Sequence, residues 1–292
     1  MKLSKDDIEI AKQNKSQFVS LKYLGDDGKL KQIDISINNI DEALSLVDNN
    51  EINLKTIKNK SFIDPFRSFP TTSFLCENIA SKHNMRQLLI ELSPTTSIAN
   101  KSLAAEISFF VEGEDLSNNY KFAADQVDPN ANLRSDIINT LENINIKTGI
   151  YFHGSNGGES VITIKGEDII DLSDNILIAK FIIANVTDSY GLKAKFIEPN
   201  NRASNINLLI QGTQTNIEEL PNIIEKNIKQ IDLLAKNNNF SILKLKKTYL
   251  YVTNTSNIMC KISLVCEDSF DPYITFAALL FYKSHKEFFV FA

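Results

Sequence analysis

"YFHGSNGGESVITI", residues 151–164, sets two apolar, β-branched runs around a polar, glycine-rich centre. The centre admits two readings. Glycines let backbone N–H groups come close to a phosphate. An Asn-Gly step between β-prone runs closes a hairpin. The flanking runs favour the hairpin, with Asn156-Gly157-Gly158 at the turn. With a hairpin there, the neighbouring segments fall into place. "PNANLRSDIINTLENIN" (129–145) lines Leu133, Ile137, Ile138, Leu141 and Ile144 along one helical stripe. After the hairpin a long helix runs from about Gly166 to Tyr190, and Gly191 ends it, because glycine accepts the left-handed conformation that helix ends need. "SLAAEISFFVEG" (102–113) reads as a strand before these elements. "KAKFIE" (193–198) and "NINLLIQG" (205–212) read as strands after them.

Farther out the same reasoning continues. "QFVSLKYLGDDGKLKQIDISI" (17–37) is a hairpin turned by "GDDGK", and "NIDEALSLVD" (39–48) is a short helix. "SFIDPFRSFPTTSFLCENI" (61–79) predicts extended segments with turns. "NMRQLLIELSP" (84–94) is a helix stopped by proline. Residues 216–237 form an amphipathic helix, 250–254 and 259–267 strands, and 271–285 a last apolar helix. "LKLKKTY" (243–249) suits an edge strand, where lysines discourage pairing with other sheets. The class is α+β, an antiparallel sheet carrying helices. A boundary near residues 80–85 divides the chain into 1–83 and 84–292.

Composition bounds the function. The chain has 292 residues, of which 43% are hydrophobic and 23% charged, a globular balance with room for a large core. A net charge of −5 argues against nucleic acid, which needs a basic face. No apolar run approaches the roughly 20 residues that cross a bilayer. "MKLSKDDIEIAKQNK" at the start holds no apolar signal core, so a soluble, cytoplasmic protein is expected. Cys76, Cys260 and Cys266 are an odd set without a C-x-x-C, which disfavours a disulfide framework or a zinc site.

The order of the segments is more specific than any one of them. A strand with "E-x-S-F-F", a helix, "F-H-G-x-x-G-G", a long helix ending "Y-G-L-x-A-x-F-I-x-P" and a late "D-P-Y-x-x-F-A-A-L-L" together resemble the glutamine synthetase family. The early hairpin and "DPFRSFPTTSF" are similar to that family's small β-grasp domain. The resemblance covers about residues 17–285. It implies an N-terminal β-grasp-like domain and a larger, shortened catalytic-type domain with a curved antiparallel sheet flanked by helices. Members make glutamine from glutamate, ammonia and ATP through γ-glutamyl phosphate, around divalent metals held by glutamates and one histidine.

Carried over residue by residue, the resemblance keeps little of that metal set. Glu106 stands at the first glutamate of E-x-E, and Ser108 replaces the second. In the hairpin His153, Gly157 and Gly158 keep the family outline. Gly154 and Val161 stand where two metal glutamates belong. The metal histidine falls on Asn207 and a late metal glutamate on Ser263, the latter across a one-residue gap. Of these six ligand positions only Glu106 remains a carboxylate. The arginines are Arg67, Arg86, Arg134 and Arg202, with none between "INLLIQG" and "DPYITF". Phosphate clamps favour arginine for its bidentate fork.

Each residue also has a structural reading. Glu106 suits a cavity-lining or paired polar residue, His153 a hydrogen-bonded strand histidine, and Ser155, Ser160 and Ser263 show no nucleophilic triad. The expectation is a glutamine synthetase-like chain with a degraded metal and ATP site. It would act as a scaffold, a regulatory partner or a metabolite binder, with no cofactor. It would form a homo-oligomer or associate with an intact chain of its kind, without nucleic acid or membrane. The alternatives are an active ATP-dependent glutamate–amine ligase using Mg²⁺ or Mn²⁺, and an unrelated α+β binding domain.

Overall fold

The structure, a computed structural model, describes residues 3–25, 28–40, 52–81, 84–93, 103–112, 121–122, 128–196, 204–212, 245–253, 258–266, 272–273 and 276. The chain forms two compact units, Met1–Arg86 and Gln87–Ala292.

The first unit opens with α1 (Lys5–Gln13), which begins with a capping box. The Ser4 hydroxyl accepts from the Asp7 amide at 3.1 Å, and the Asp7 carboxylate accepts from the Ser4 amide at 2.9 Å. Strands β1 (Phe18–Leu24) and β2 (Leu30–Ser36) form the expected hairpin. β3 (Leu54–Ile63) and β4 (Thr71–Asn78) pair antiparallel around the Asp64-Pro65 turn, as the proline-containing segment suggests. The sheet order is β2-β1-β4-β3, with the central β1 and β4 parallel. Residues 41–50, most of the helix expected at 39–48, lie outside the described residues.

Strand β1 is buried on both faces. Val19, Leu21 and Tyr23 join Ala11, Ile35, Leu54, Phe74 and Cys76 in an apolar core. The opposite face is polar. Lys22 Nζ lies 3.2 Å from the Asp64 carboxylate and donates to Gln32 Oε1 at 2.8 Å. Asp64 also accepts from the Ser73 hydroxyl at 3.1 Å and the Phe66 amide at 3.1 Å. Burial pushes the Lys22 ammonium below the usual lysine range, against the opposing pull of Asp64. Burial likewise raises the Cys76 thiol far above neutrality, so it stays protonated and inert.

The second unit contains β5 (Leu103–Val111), β6 (Thr148–His153), β7 (Glu159–Gly166), β8 (Ala194–Lys195), β9 (Ser204–Gly212), β10 (Leu245–Thr253) and β11 (Ile258–Cys266). They form one antiparallel sheet, ordered β10-β11-β9-β5-β7-β6, with β8 paired to the end of β5. β10 carries most of the lysine-rich run and lies at the edge of the sheet among the described residues. A helix, α2 (Met85–Leu92), precedes β5; α3 (Ala131–Asn143) and α4 (Ile169–Ser189) pack against β5, β6 and β7. α3 buries Leu133, Ile137, Ile138 and Leu141 of the expected stripe, and it buries Arg134 as well.

Helix α4 starts at Ile169, three residues after the expected Gly166 and at the first residue of its apolar run. Asp168 caps it, accepting from the Ile170 and Asp171 amides at 2.9 and 2.7 Å. Gly166 belongs to β7, where a Cβ would meet the Leu172 backbone at 2.5 Å, so glycine lets helix and strand approach. Gly191 closes the helix at φ +72°, as expected. α4 is buried nearly all round; even Asp174 is buried, accepting from the Tyr273 hydroxyl at 2.6 Å. Tyr273 and Phe276 are helical and buried, within the last expected helix. The remainder of that helix and the one expected at 216–237 lie outside the described residues. Among the described residues no helix is long and apolar enough to cross a membrane.

Candidate functional site

Strand alternation gives the larger sheet two faces. On β5, Ala105, Ile107, Phe109 and Val111 alternate with Glu106, Ser108 and Phe110, and all seven are buried. Register extends each face across the sheet. Glu106 stands opposite Thr163 of β7 and Asn207 of β9, and Asn207 opposite Ser263 of β11. Ser108 stands opposite Val161, and Phe110 opposite Glu159. Five of the six positions that the resemblance assigns to metal ligands, Glu106, Ser108, Val161, Asn207 and Ser263, therefore fall on one face by register, although they come from four strands.

His153 belongs to the other face. It pairs with Ser160, which pairs with Phe109. Arg134 of α3 donates from Nη1 to Ser160 Oγ at 3.2 Å and forms a buried ion pair with Asp128. His153 is itself buried, with Nδ1 2.9 Å from the Gly154 carbonyl oxygen. It thus lies on the helix-covered side, away from Glu106. Adjacency in "FHG" hid this, because neighbouring strand residues point opposite ways.

The hairpin turn spans more residues than an Asn-Gly turn needs. The Gly154 amide donates to the Glu159 carbonyl at 2.8 Å, and the Glu159 amide to the Asn156 carbonyl at 3.0 Å. The left-handed residue is Gly158, at φ +68°. The buried Glu159 carboxylate organises the turn, accepting from the Ser155 and Asn156 amides at 2.9 and 3.1 Å and from Asn156 Nδ2 at 3.3 Å. A Cβ at Gly154 would lie 2.3 Å from the Glu159 carboxyl carbon. Position 154 is thus glycine where a neighbouring glutamate fills the space. This role of Glu159 escaped the sequence reading, and its only signal was a glutamate at the far side of a glycine-rich turn.

Glu159 and Glu106 lie on one face but four residues apart in register, a span of roughly 13 Å along the strands. They are too distant to share one ion. Among the described residues, no group of three or more histidines, cysteines, aspartates or glutamates is placed to hold a metal. The arginines serve other ends. Arg67 pairs with Asp34 at 2.8 Å, Arg86 lies 3.8 Å from Glu77, and Arg134 pairs with Asp128; Arg202 lies outside the described residues.

Two features of the Glu106 face concern its chemistry. Glu106, Ser108 and Thr163 are 7%, 4% and 4% exposed, so any group bound there is largely out of water. Thr163 Oγ1, directly across from Glu106, is buried without a hydrogen-bond partner.

Residues 74–205 match the family model described as glutamine synthetase, catalytic domain. That match ends before Asn207 and Ser263, so the placement of those two rests on register with Glu106. No curated protein matches the chain by sequence. Solved structures do. The glutamine synthetase of Plasmodium falciparum, determined by cryo-electron microscopy, superposes with a TM-score of 0.70 at 15% identity, over 97% of this chain and 75% of that one. GmaS without ligand gives 0.70 at 13% identity, over 95% and 79%. GmaS in complex with ADP gives 0.68 at 11%, over 95% and 81%. At these identities the likeness establishes the fold, which is that of the glutamine synthetases, as the ordered segments led one to expect.

Proposed function

We propose that this chain, a glutamine synthetase by fold, is catalytically silent and acts by binding, as a regulatory partner of an intact chain of its kind or as a small-metabolite binder. One observation carries the reading. Of the six positions that the resemblance assigns to metal ligands, one holds a carboxylate, Glu106, and the other carboxylate described on that face, Glu159, lies roughly 13 Å along the strands and is engaged by turn amides. Mg²⁺ and Mn²⁺ take oxygen-rich, anionic ligands in fixed geometry. Glycine and valine side chains supply no ligand, and serine and asparagine supply no charge. The residues present do not fit a divalent ion, so no reaction step is routed through one. Without such an ion, phosphoryl transfer forfeits the charge neutralisation on which it depends. The arginine distribution agrees, since the three described arginines engage carboxylates of their own.

A specific observation favours a second reading, an active ATP-dependent ligase with a rebuilt site. Glu159 puts a carboxylate where a side chain at position 154 would begin. GmaS, a fold relative, has been solved with ADP. Against this, one Glu159 oxygen is already engaged by two turn amides.

Calorimetric titration with ATP plus Mg²⁺ or Mn²⁺ separates the readings. The silent reading expects no tight binding and background activity in a γ-glutamyl transfer assay. Turnover that disappears in Glu106→Ala would overturn it. Turnover that survives Glu106→Ala but disappears in Glu159→Gln would establish the rebuilt site.

A further inference from the structure

We infer that Asn156 and Gly157, at the tip of the β6–β7 hairpin, are a site of spontaneous chemical modification, at which Asn156 converts to aspartate or isoaspartate and the turn loses the carboxylate that organises it. The Gly157 nitrogen bonds to Asn156 Cγ as the Cγ–Nδ2 bond breaks, and ammonia leaves carrying the proton that the amide sheds. Water then opens the cyclic imide at either carbonyl. The reaction needs nothing from a metal or ATP site, so it stands apart from the silent and ligase readings alike.

Two independent observations carry the inference. The first is access for the attacking nitrogen. Asn156-Gly157 is the one Asn-Gly step in the chain. Glycine has no side chain to hinder ring closure or to restrict the backbone that rotates for it. The Asn156 carbonyl accepts from the Glu159 amide at 3.0 Å, so Gly157 and Gly158 are the central residues of a tight turn. Among the described residues nothing hydrogen-bonds to the Gly157 amide. The hydrogen bond from Asn156 Nδ2 to Glu159 folds the carboxamide back over that turn. Asn156 is half-buried, which leaves water a path to the imide.

The second is what Asn156 holds in place. One Glu159 oxygen accepts from the Ser155 amide at 2.9 Å, the Asn156 amide at 3.1 Å and Asn156 Nδ2 at 3.3 Å. Glu159 is only 7% exposed. Aspartate at position 156 turns the last of these contacts into two anions within hydrogen-bond range, with little water to screen them. Isoaspartate also inserts an extra carbon into the main chain ahead of Gly157, which moves the amides that face Glu159 out of their turn geometry. Either product drives the Glu159 side chain off the turn, and the hairpin tip loosens.

The test incubates the full chain at neutral pH and at pH 8.5 and digests it with trypsin. Cleavage after Lys147 and Lys165 releases a peptide in which Asn156 is the one amide side chain, so peptide mass reads its conversion without ambiguity. The expected result is conversion that is faster at the higher pH, because base removes the amide proton, with labelling by an isoaspartate methyltransferase marking one of the two products. Gly157→Ala should slow it severalfold. Gly157 is not left-handed, unlike Gly158, so alanine suits its backbone. In thermal unfolding Asn156→Asp should lower the midpoint by about 2–4 °C. Adding Glu159→Gln should restore more than half of that loss, since it removes one of the two charges and keeps an oxygen for the turn amides. A folded chain that stays unconverted while the same stretch converts as a free peptide would overturn the inference. So would conversion in Gly157→Ala as fast as in the wild type. An unchanged midpoint in Asn156→Asp would overturn the effect assigned to the turn.

Discussion

Lys22 illustrates how one residue can serve the fold at a cost to itself. Its ammonium is buried against Asp64, and burial lowers its proton affinity. Between the lowered folded value and the ordinary lysine value, the unfolded chain binds the proton more tightly. Stability contributed by this group therefore rises with pH across that alkaline window. Lys22→Met should flatten the rise, and denaturant unfolding from pH 8 to pH 10.5 reads it. The same variant leaves Asp64 charged and buried without its nearest cation, so a loss of about 3–5 kcal/mol is expected at pH 7. Lys22→Met combined with Asp64→Asn should recover more than half, because asparagine removes the buried charge, its Oδ1 still accepts from the Phe66 amide, and its Nδ2 can donate to the Ser73 hydroxyl. A double variant as unstable as the single one would show that the loss came from packing.

Gly154 and Glu159 form a second pair of coupled residues. Restoring a family carboxylate by Gly154→Glu alone should fail to create metal affinity. The new Cβ would meet the Glu159 carboxyl group at 2.3–2.4 Å and evict it from the turn amides. Gly154→Glu should lower stability by about 1–3 kcal/mol, in the range of overpacked sites. Adding Glu159→Gly should relieve the clash. Mn²⁺ titration with unfolding curves on both variants checks this, and Mn²⁺ binding by the single variant would contradict it.

Among the elements, β7 and α4 approach closely at their connection. Gly166 faces the Leu172 backbone, which cannot swing aside as a side chain can. Gly166→Ala should cost about 1–3 kcal/mol, the scale of inserting a carbon into a closed site. Gly191→Ala meets no atoms within 4 Å, yet it sits at φ +72° and should cost only about 1 kcal/mol. If thermal unfolding ranks these two the other way, close helix–strand approach is not what Gly166 provides. The elements were largely legible because their signals are local. α3's stripe, α4's glycine stop, the two hairpins and the lysine-bearing edge strand each follow from residues within one element. What could not be read was the far half of each long-range pair. Arg134 sits on an apolar stripe because Asp128 and Ser160 engage its two Nη groups there, although its Nε has no hydrogen-bond partner, and Ser160 lies 26 positions away.

For the whole molecule, the first unit carries a mixed sheet and the second an antiparallel one. If the regulatory-partner reading proposed above holds through association with its own kind, the chain is self-associated in solution. Light scattering should give a multiple of 32.9 kDa at micromolar concentration, and the monomer mass alone would refute it.

The sequence by itself determined the α+β class and most strand and helix positions. Those follow from periodicity, turn chemistry and residue type, which are properties of short segments. Only the tertiary structure decided which of those positions meet. It put Glu106, Ser108 and Val161 on one face with Thr163, turned His153 to the other, and set Glu159 in the space beside Gly154. The physical reason is register. Side chains alternate across a sheet with a period of two, so one step of pairing between strands distant in sequence decides which face each side chain joins.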